Sequence, residues 1–261
     1  MSGHSKWSSI KHQKGAADKR RSNLFTKLAK TIAVAARGGG DPAMNFQLRL
    51  AIEKAKAANM PKDNIARAIK RGTGELGGAQ IEEILYEIYG PSGTAILVEV
   101  LTDNKNRASA EIKAVLNKMG GKLAGSGVVS YLFERKGEIR ISYQLSAVSG
   151  QQNSEEKIEE VIINSGADDY EEIPVSLLES ESRSRRPAGR DKGFLVYCHP
   201  ENLAAVKNAL QKSSLKIESA ELVWAPKTPV AVSEEEAQKV IKLLEALDEL
   251  DDISSVSSNL G

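Results

Sequence analysis

The chain has 261 residues, of which 41% are hydrophobic and 5% aromatic, and its formal net charge at pH 7 is +1. This length has room for two or three domains, and the single cysteine, Cys198, excludes an internal disulfide framework and an all-cysteine metal site. No stretch approaches the roughly 18 apolar residues of a membrane span, and the first residues lack the apolar run of a signal peptide. We therefore expect a cytoplasmic protein that does not contact a membrane.

The charge is divided unevenly along the chain. Residues 1–71 hold 16 Lys and Arg against 4 Asp and Glu, a balance of +12, whereas the remaining 190 residues hold 20 against 31, a balance of −11. Each cation that neutralises a nucleic-acid phosphate releases condensed counterions, a gain that needs no particular base sequence. The asymmetry therefore predicts nucleic-acid contacts at the N-terminal end of the chain.

The first 37 residues combine cations with flat side chains on which bases can stack. A solvated tail whose charge only aids solubility is the alternative interpretation. The candidate nucleic-acid-binding residues of this stretch are His4, Lys6, Trp7, Lys11, His12, Lys14, Lys19, Arg20, Arg21, Lys27, Lys30 and Arg37.

Helical periodicity predicts three helices before residue 78. The first runs from Ala16 to Arg37, with its apolar residues on one face and a basic stripe (Lys19, Lys27, Lys30 and Arg37) on the outer face. The second starts at Asp41-Pro42, an N-cap followed by a first-turn proline, and runs to Ala58. The third follows Pro61 and is stopped by Gly72. The predicted inward residues of the second and third helices are Met44, Leu48, Ala51, Ile52, Ala55, Ile65, Ala68 and Ile69.

The second and third of these helices admit two interpretations. They would form either part of an ordinary three-helix bundle or a helix-turn-helix that points Arg67, Lys70 and Arg71 at a groove of the nucleic acid. The string Gly72-Thr73-Gly74-Glu75-Leu76-Gly77 fits G-x-G-x-x-G, but it follows a helix instead of a strand. We therefore interpret it as a linker and not as a dinucleotide site.

Beyond the linker the pattern changes to strands and helices. Strands are predicted at 85–89, 94–101 and 128–133, with a helix that is capped within Thr102–Arg107 and ends at Met119. Lys105 and Arg107 lie beside the free N–H groups of that helix start, where they would form an anion site. A capped helix with solvated charges is the alternative.

The second half of the chain spells β-α-β-β-α-β, the order of a ferredoxin-like module. Its predicted elements are strands at 138–143, 168–173, 194–199 and 217–224, and helices at 154–165 and 201–212. A helix at 233–247 and a strand at 253–258 are too small to fold alone, so we expect them to complete the sheet begun at Tyr86. The predicted domains are therefore residues 1–78, residues 79–136 with 226–261, and an insertion at 137–225. Within the insertion, Ser180–Gly193 is rich in Ser, Glu and Arg and is predicted to be a mobile loop.

The chain offers little catalytic chemistry. Cys198 and His199 are adjacent on a predicted strand, so their side chains point to opposite faces and do not form a nucleophile–base pair. The three histidines lack metal-ligand spacing, and no P-loop is present. Lys192-Gly193-Phe194 begins like an RNA-recognition strand but lacks the second stacking aromatic, which favours a core strand. We expect no catalytic residue, metal or cofactor.

Ordered motifs along the whole chain closely resemble the YebC/PmpR family. They are Gly3-His4-Ser5-Lys6-Trp7, Ile10-Lys11-His12, Phe25-Thr26-Lys27-Leu28, Ala35-Ala36-Arg37, Gly39-Gly40-Asp41-Pro42, Ala58-Asn59-Met60-Pro61-Lys62-Asp63, Ile69-Lys70-Arg71-Gly72, Tyr89-Gly90-Pro91, Thr102-Asp103-Asn104-Lys105-Asn106-Arg107, Gly120-Gly121 and Phe133-Glu134. The resemblance implies a helical N-terminal domain and two α+β domains, the third inserted in the second. It also implies a transcriptional regulator that binds DNA or a translation factor that acts on the ribosome, as a mitochondrial translational activator of the family does. The arginine-serine loop and the segment Val256–Asn259, where the family has a tyrosine, depart from the family pattern.

Together these observations predict a multidomain α and α+β protein, with a three-helix bundle followed by two ferredoxin-like α+β domains, one inserted in the other. We expect a monomeric, non-enzymatic regulator of gene expression whose partner is nucleic acid, either duplex DNA or ribosomal RNA. A DNA-binding transcriptional regulator is the first interpretation. A ribosome-associated RNA-binding translation factor is the alternative, and a nucleic-acid-processing enzyme is a distant third.

Overall fold

The computed structural model of the chain describes residues 18–144, 155–174, 191–213 and 215–261. Within these residues the chain forms seven α-helices and eight strands. The helices are α1 (Asp18–Ala36), α2 (Phe46–Ala57), α3 (Lys62–Gly72), α4 (Lys105–Met119), α5 (Glu155–Asn164), α6 (Leu203–Lys212) and α7 (Glu234–Asp248). The strands are β1 (Glu82–Tyr89), β2 (Ala95–Thr102), β3 (Lys122–Leu123), β4 (Phe133–Gln144), β5 (Asp169–Pro174), β6 (Asp191–Cys198), β7 (Lys216–Pro226) and β8 (Ile253–Ser258).

Helices α1, α2 and α3 form a bundle with α1 at its centre. Leu28 and Ile32 of α1 share one buried cluster with Leu48 of α2 and Ile65 of α3. Helix α1 packs against both of the others, whereas α2 and α3 contact each other little. The two helices of the predicted helix-turn-helix are therefore held in place by α1 and not by each other. A Cβ on Gly72 would lie 2.2 Å from the carbonyl oxygen of Ala33. Glycine at this position therefore permits the close crossing of α1 and α3.

The predicted start of the second helix is wrong by one turn. Asp41 accepts a hydrogen bond from the Ala43 N–H (2.9 Å) and holds a turn instead of a helix. The N-cap is Asn45, whose Oδ1 accepts a hydrogen bond from the Leu48 N–H at 3.0 Å. Met44 consequently precedes the helix and is 87% exposed, so the prediction that it is buried is also wrong.

The first sheet has the strand order β3-β1-β2-β8, and the C-terminal strand completes it as predicted. Strands β1 and β2 pair antiparallel from Glu82↔Thr102 to Tyr89↔Ala95. Helices α4 and α7 pack against each other and contact strands of this sheet. Asn104 caps α4 by accepting a hydrogen bond from the Arg107 N–H, and Gly120 ends the helix with φ 82°.

The predicted strand at 128–133 is wrong, because most of this segment is a turn and a short 3₁₀ helix. The buried carboxylate of Glu87 accepts hydrogen bonds from the N–H groups of Gly127 (2.6 Å), Val129 (2.5 Å) and Ser130 (2.8 Å). A side chain takes these N–H groups, so they do not enter a strand ladder. The strand begins only at Phe133 and continues to Gln144.

The second sheet has the order β5-β6-β4-β7, which is the ferredoxin-like arrangement predicted from the β-α-β-β-α-β pattern. Strand β6 pairs antiparallel with both β4 and β5. It begins at Asp191, so the last residues of the predicted loop at 180–193 belong to a strand, and residues 175–190 lie outside the described residues. Phe194 and Tyr197 are buried, as expected of a core strand.

The described residues fall into two compact units. Residues up to Phe133 together with Pro226–Gly261 form one, which includes the helical bundle and the first sheet. The segment Glu134–Ala225 forms the other. The multidomain α and α+β fold class is therefore confirmed.

Candidate nucleic-acid interface

The predicted binding residues divide into three groups by their place in the structure. His4, Lys6, Trp7, Lys11, His12 and Lys14 lie outside the described residues. Lys19, Arg20 and Arg21 lie on α1, where the structure describes the helical backbone and not these side chains. The structure describes the side chains of Lys27, Lys30, Arg37, Arg67, Lys70, Arg71, Lys105 and Arg107.

Two cations of α1 face the protein instead of solvent. Lys27 donates a hydrogen bond to the carbonyl oxygen of Asp248, and its side chain is 15% exposed. Lys30 forms an ion pair with Asp252, donates to the carbonyl oxygen of Asp251 at 3.0 Å, and is 13% exposed. Burial lowers the pKa of Lys27, and the nearby Asp248 and Asp251 carboxylates oppose that shift. The predicted outer basic stripe is therefore wrong for Lys27 and Lys30, because acids more than 200 residues away occupy that side of the helix.

Asp252 is the centre of a buried polar cluster that joins three elements. Besides Lys30 of α1, its carboxylate accepts hydrogen bonds from Arg107 of α4 (2.8 Å) and from the Thr102 hydroxyl of β2 (2.9 Å). Burial alone would raise the pKa of Asp252, but the hydrogen bonds from Lys30, Arg107 and Thr102 bring it below its ordinary value. Asp252 is 3% exposed, so these contacts hold an ionised carboxylate in the interior.

Carboxylates of the protein itself compete for both cations of the anion site predicted at the start of α4. Arg107 contacts Asp252 and also Asp103 at 3.0 Å, and hydrogen bonds to Asp252 and Asp103 raise its pKa. Lys105 forms an ion pair with Glu82. Both cations are thus neutralised by acids of the protein itself, which the position of the helix start does not reveal.

Arg37 and Arg71 connect the helical bundle to the segment that leads into β1. Arg37 donates a hydrogen bond from Nη2 to the carbonyl oxygen of Ile81. Arg71 donates to the carbonyl oxygen of Ala79 at 3.4 Å and lies 3.6 Å from a carboxylate oxygen of Asp103. Both residues remain exposed, and the Arg71 side chain keeps 41% of its surface in solvent.

The outer side of α3 carries three cations that the protein leaves to solvent. Ile65 and Ala68 of this helix are buried, which turns Lys62, Arg67 and Lys70 outward. These three side chains, the α3 basic surface, contact no carboxylate among the residues that the structure describes. Of the predicted residues, Arg67 and Lys70 belong to it. Lys62 is not among the predicted binding residues, although helical periodicity places it on the same outer side.

The structure adds three observations, on the single cysteine, on metal binding and on membranes. Burial and Asp168 raise the pKa of Cys198 to about 11, so its thiol is protonated at neutral pH, and the adjacent His199 is exposed. Among the described residues, no group of three or more His, Cys, Asp or Glu side chains is placed to hold a metal ion. None of the described helices combines the length and the apolar character that crossing a membrane requires.

Known proteins match this chain over nearly its full length. Residues 5–75 match the family model described as "TACO1/YebC protein N-terminal domain", and residues 81–260 match the model described as "TACO1/YebC second and third domain". A "Probable transcriptional regulatory protein" of Treponema denticola is 48% identical over 100% of this chain and 96% of its own length. A protein of the same name from Leptospira biflexa is 47% identical over 99% of this chain and 96% of its own length.

A solved structure agrees with these matches. The crystal structure of a conserved hypothetical protein from Aquifex aeolicus superimposes with a TM-score of 0.78 at 45% sequence identity. The match covers 97% of this chain and 95% of the Aquifex chain. The chain therefore belongs to the TACO1/YebC family.

Proposed function

We propose that the protein is a non-enzymatic regulator of gene expression that binds nucleic acid, in the first instance duplex DNA, through its basic N-terminal region. The observation that carries the proposal is the separation of charge, +12 in residues 1–71 against −11 in the remainder. The names of the relatives, "Probable transcriptional regulatory protein", support a role in regulation.

The contacts of the described cations divide them into cations that stabilise the fold and cations that are free to bind nucleic acid. Lys27, Lys30 and Arg107 are neutralised by acids and stabilise the fold. Lys62, Arg67 and Lys70 project from α3 into solvent, where phosphates can replace their counterions. The acidic remainder repels a polyanion, which confines binding to the basic end of the molecule.

One observation favours structured RNA as the alternative target. Specific reading of adenine in the major groove commonly uses bidentate contacts from Asn or Gln. The amide side chain of α3, that of Asn64, is half-buried, whereas its exposed cations suit contacts with phosphates. Recognition through phosphates and shape is characteristic of proteins that bind double-stranded RNA. A ribosome-associated translation factor is therefore the second candidate function.

The test is a binding titration of the full chain against a DNA duplex and a structured RNA of equal length, by fluorescence anisotropy over a range of salt concentrations. If about six cations contact phosphates of duplex DNA, log affinity against log salt has a slope of about −5. We expect Arg67→Gln with Lys70→Gln to flatten that slope by about 2, because each lost phosphate contact removes about 0.9.

The matched control is Lys113→Gln with Lys118→Gln, which removes the same charge from exposed positions of α4. An equal loss in both double variants would show that net charge alone governs binding. An unchanged slope in the α3 variant would place the interface elsewhere. Tighter binding of RNA, together with ribosomal RNA as the dominant product of crosslinking in cells, would favour the translation role. Turnover of labelled nucleic acid in the same incubation would contradict a non-enzymatic function.

A further inference from the structure

A groove of about 300 Å³ lies where the C-terminal ends of α1 and α3 meet the glycine-rich segment before β1. Arg37 and Arg71 line it, together with Gly74, Gly77 and Gly78. All of these residues belong to one compact unit. The groove is distinct from the α3 basic surface, whose residues do not line it.

Arg37 and Arg71 bring to the groove hydrogen-bond donors that make no hydrogen bond within the described residues. A guanidinium has five N–H donors, and the described hydrogen bonds of Arg37 and Arg71 engage only the Nη2 atom of each. Asp103 is 3.6 Å from Arg71 but 3.0 Å from Arg107, so this carboxylate is held more closely by the other arginine. Arg71 therefore has N–H donors left with which to bind a second anion.

The backbone of the glycine-rich segment supplies further donors. Gly74, Gly77 and Gly78 have φ values of 85°, 60° and 106°, and a Cβ added to any of them would meet no atom within 4 Å. These glycines are thus required by backbone conformation and not by crowding. Within the described part of the chain, the N–H groups of Gly78, Ala79 and Gln80 donate no hydrogen bond. Turns that present several backbone N–H groups form concavities that bind anions.

We propose that this groove is a binding site for a single phosphate group, held by Arg37, Arg71 and the N–H groups of residues 78–80. Arginine presents N–H donors in a fork that matches two phosphate oxygens, which makes phosphate the anion that this donor set recognises best. The phosphate belongs either to a nucleic-acid backbone, a source that rests on the proposed function, or to a free nucleotide. The phosphate site itself stands independently of the proposed function.

The first experiment uses the unaltered chain. Inorganic phosphate replaces chloride at constant ionic strength, and the backbone amide resonances of Gly78, Ala79 and Gln80 are followed by ¹⁵N-correlated NMR. Saturable shifts confined to these amides and to the Arg71 Nε–H are the expected result. The absence of saturable shifts would overturn the proposal, and so would shifts spread over all exposed cations.

The second experiment identifies the source of the phosphate. In Arg71→Gln we expect the slope of log affinity against log salt for duplex DNA to flatten by about 0.9, the value for one phosphate contact. Lys113→Gln is the matched control and leaves the slope unchanged. Arg71→Lys keeps the charge but not the fork, and the melting temperature of Arg71→Gln shows whether loss of the Asp103 contact has disturbed the fold.

The two experiments test the phosphate site and the proposed function independently. If the unaltered chain binds no nucleic acid, the proposed function fails while the NMR titration still decides whether the groove binds phosphate. If the groove amides shift with phosphate and Arg71→Gln leaves nucleic-acid affinity unchanged, the site belongs to a free nucleotide. A nucleoside monophosphate then saturates the same amides at lower concentration than inorganic phosphate does.

Discussion

Replacing Asp252 with asparagine removes the carboxylate that joins α1, β2 and α4. The variant keeps the volume of the side chain but only one acceptor oxygen, and its amide group would face the cations of Lys30 and Arg107. Removing one partner of a buried ion pair costs roughly 3–5 kcal/mol, because the other charge is left buried and unpaired. The Arg107 side chain is 46% exposed and is solvated when its partner is lost, whereas Lys30 is 13% exposed. We therefore expect a loss near the lower bound, about 3 kcal/mol.

Urea unfolding measures this loss, since a lower midpoint at constant m-value reports stability alone. The corresponding drop in melting temperature is about 6–12 °C, at roughly 2–4 °C per kcal/mol for units of 150–250 residues. Asp251→Asn is the matched control: the neighbouring side chain is exposed, and surface substitutions of this kind stay within about 0.5 kcal/mol. A loss below about 1 kcal/mol in Asp252→Asn, or an equal loss in Asp251→Asn, would refute the reasoning.

The same cluster predicts how stability depends on pH. Hydrogen bonds from Lys30, Arg107 and Thr102 lower the pKa of Asp252 in the folded state, against the opposing effect of burial. A carboxyl group with a lowered folded pKa stabilises the fold above its unfolded pKa of about 3.9, and this contribution is lost as the pH falls through the folded value. The stability difference between the unaltered chain and Asp252→Asn should therefore be constant near neutral pH and narrow below about pH 4. A difference that did not change on acidification would mean that the carboxylate is not the source of the stability.

Two other side-chain hydrogen-bond contacts give predictions of the same kind. Glu87→Gln should cost about 2–3 kcal/mol, because glutamine offers one acceptor oxygen to three backbone N–H groups and leaves a buried donor unsatisfied; an unchanged midpoint in urea would contradict this. Asn45→Ala should cost at least about 1 kcal/mol, because it uncaps the N–H of Leu48 and removes the hydrogen bonds that the Asn45 amide donates to the carbonyl oxygens of Ala35 and Gly39. Asn45→Ser, which keeps a capping oxygen but not the amide donors, should recover part of the loss. Helical content followed by circular dichroism during thermal unfolding checks both Asn45 variants, and equal losses in the two would show that capping is not the cause.

The sequence predicts most elements of this fold because their periodicity and turn chemistry are local. The pattern of buried residues at Leu48, Ala51, Ile52 and Ala55 defined α2 correctly. Its start was mispredicted because Asp41-Pro42 and Asn45 are both plausible caps, and only the packed structure decides between them. The strand predicted at 128–133 does not form because of a contact that is distant in sequence. The carboxylate of Glu87 accepts hydrogen bonds from the N–H groups of Val129 and Ser130, which a strand would need for pairing with its neighbour.

The candidate site was harder to predict, because a cation's role depends on which acids the fold brings to it. On helical periodicity alone Lys27, Lys30 and Lys70 look alike, each on the polar side of an amphipathic helix. The first two meet Asp248 and Asp252, which are 221 and 222 residues further along the chain, and only Lys70 remains in solvent. No local rule separates the paired cations from the exposed one, whereas the partition of total charge between the two ends of the chain was visible from composition.

The difference between cations paired with acids and cations exposed to solvent limits which residues can produce the salt dependence proposed for nucleic-acid binding. Lys27 and Lys30 are already neutralised, so releasing them to a phosphate would break the contacts that hold α1 against the first sheet's C-terminal elements. If binding has a slope of about −5, we expect the cations responsible to lie among the basic residues before Ser22, the α3 basic surface, Arg71 and other exposed cations of the helical bundle such as Lys56. Substituting Lys27 or Lys30 should accordingly lower stability while leaving the slope unchanged, the opposite of the behaviour expected at Arg67 and Lys70.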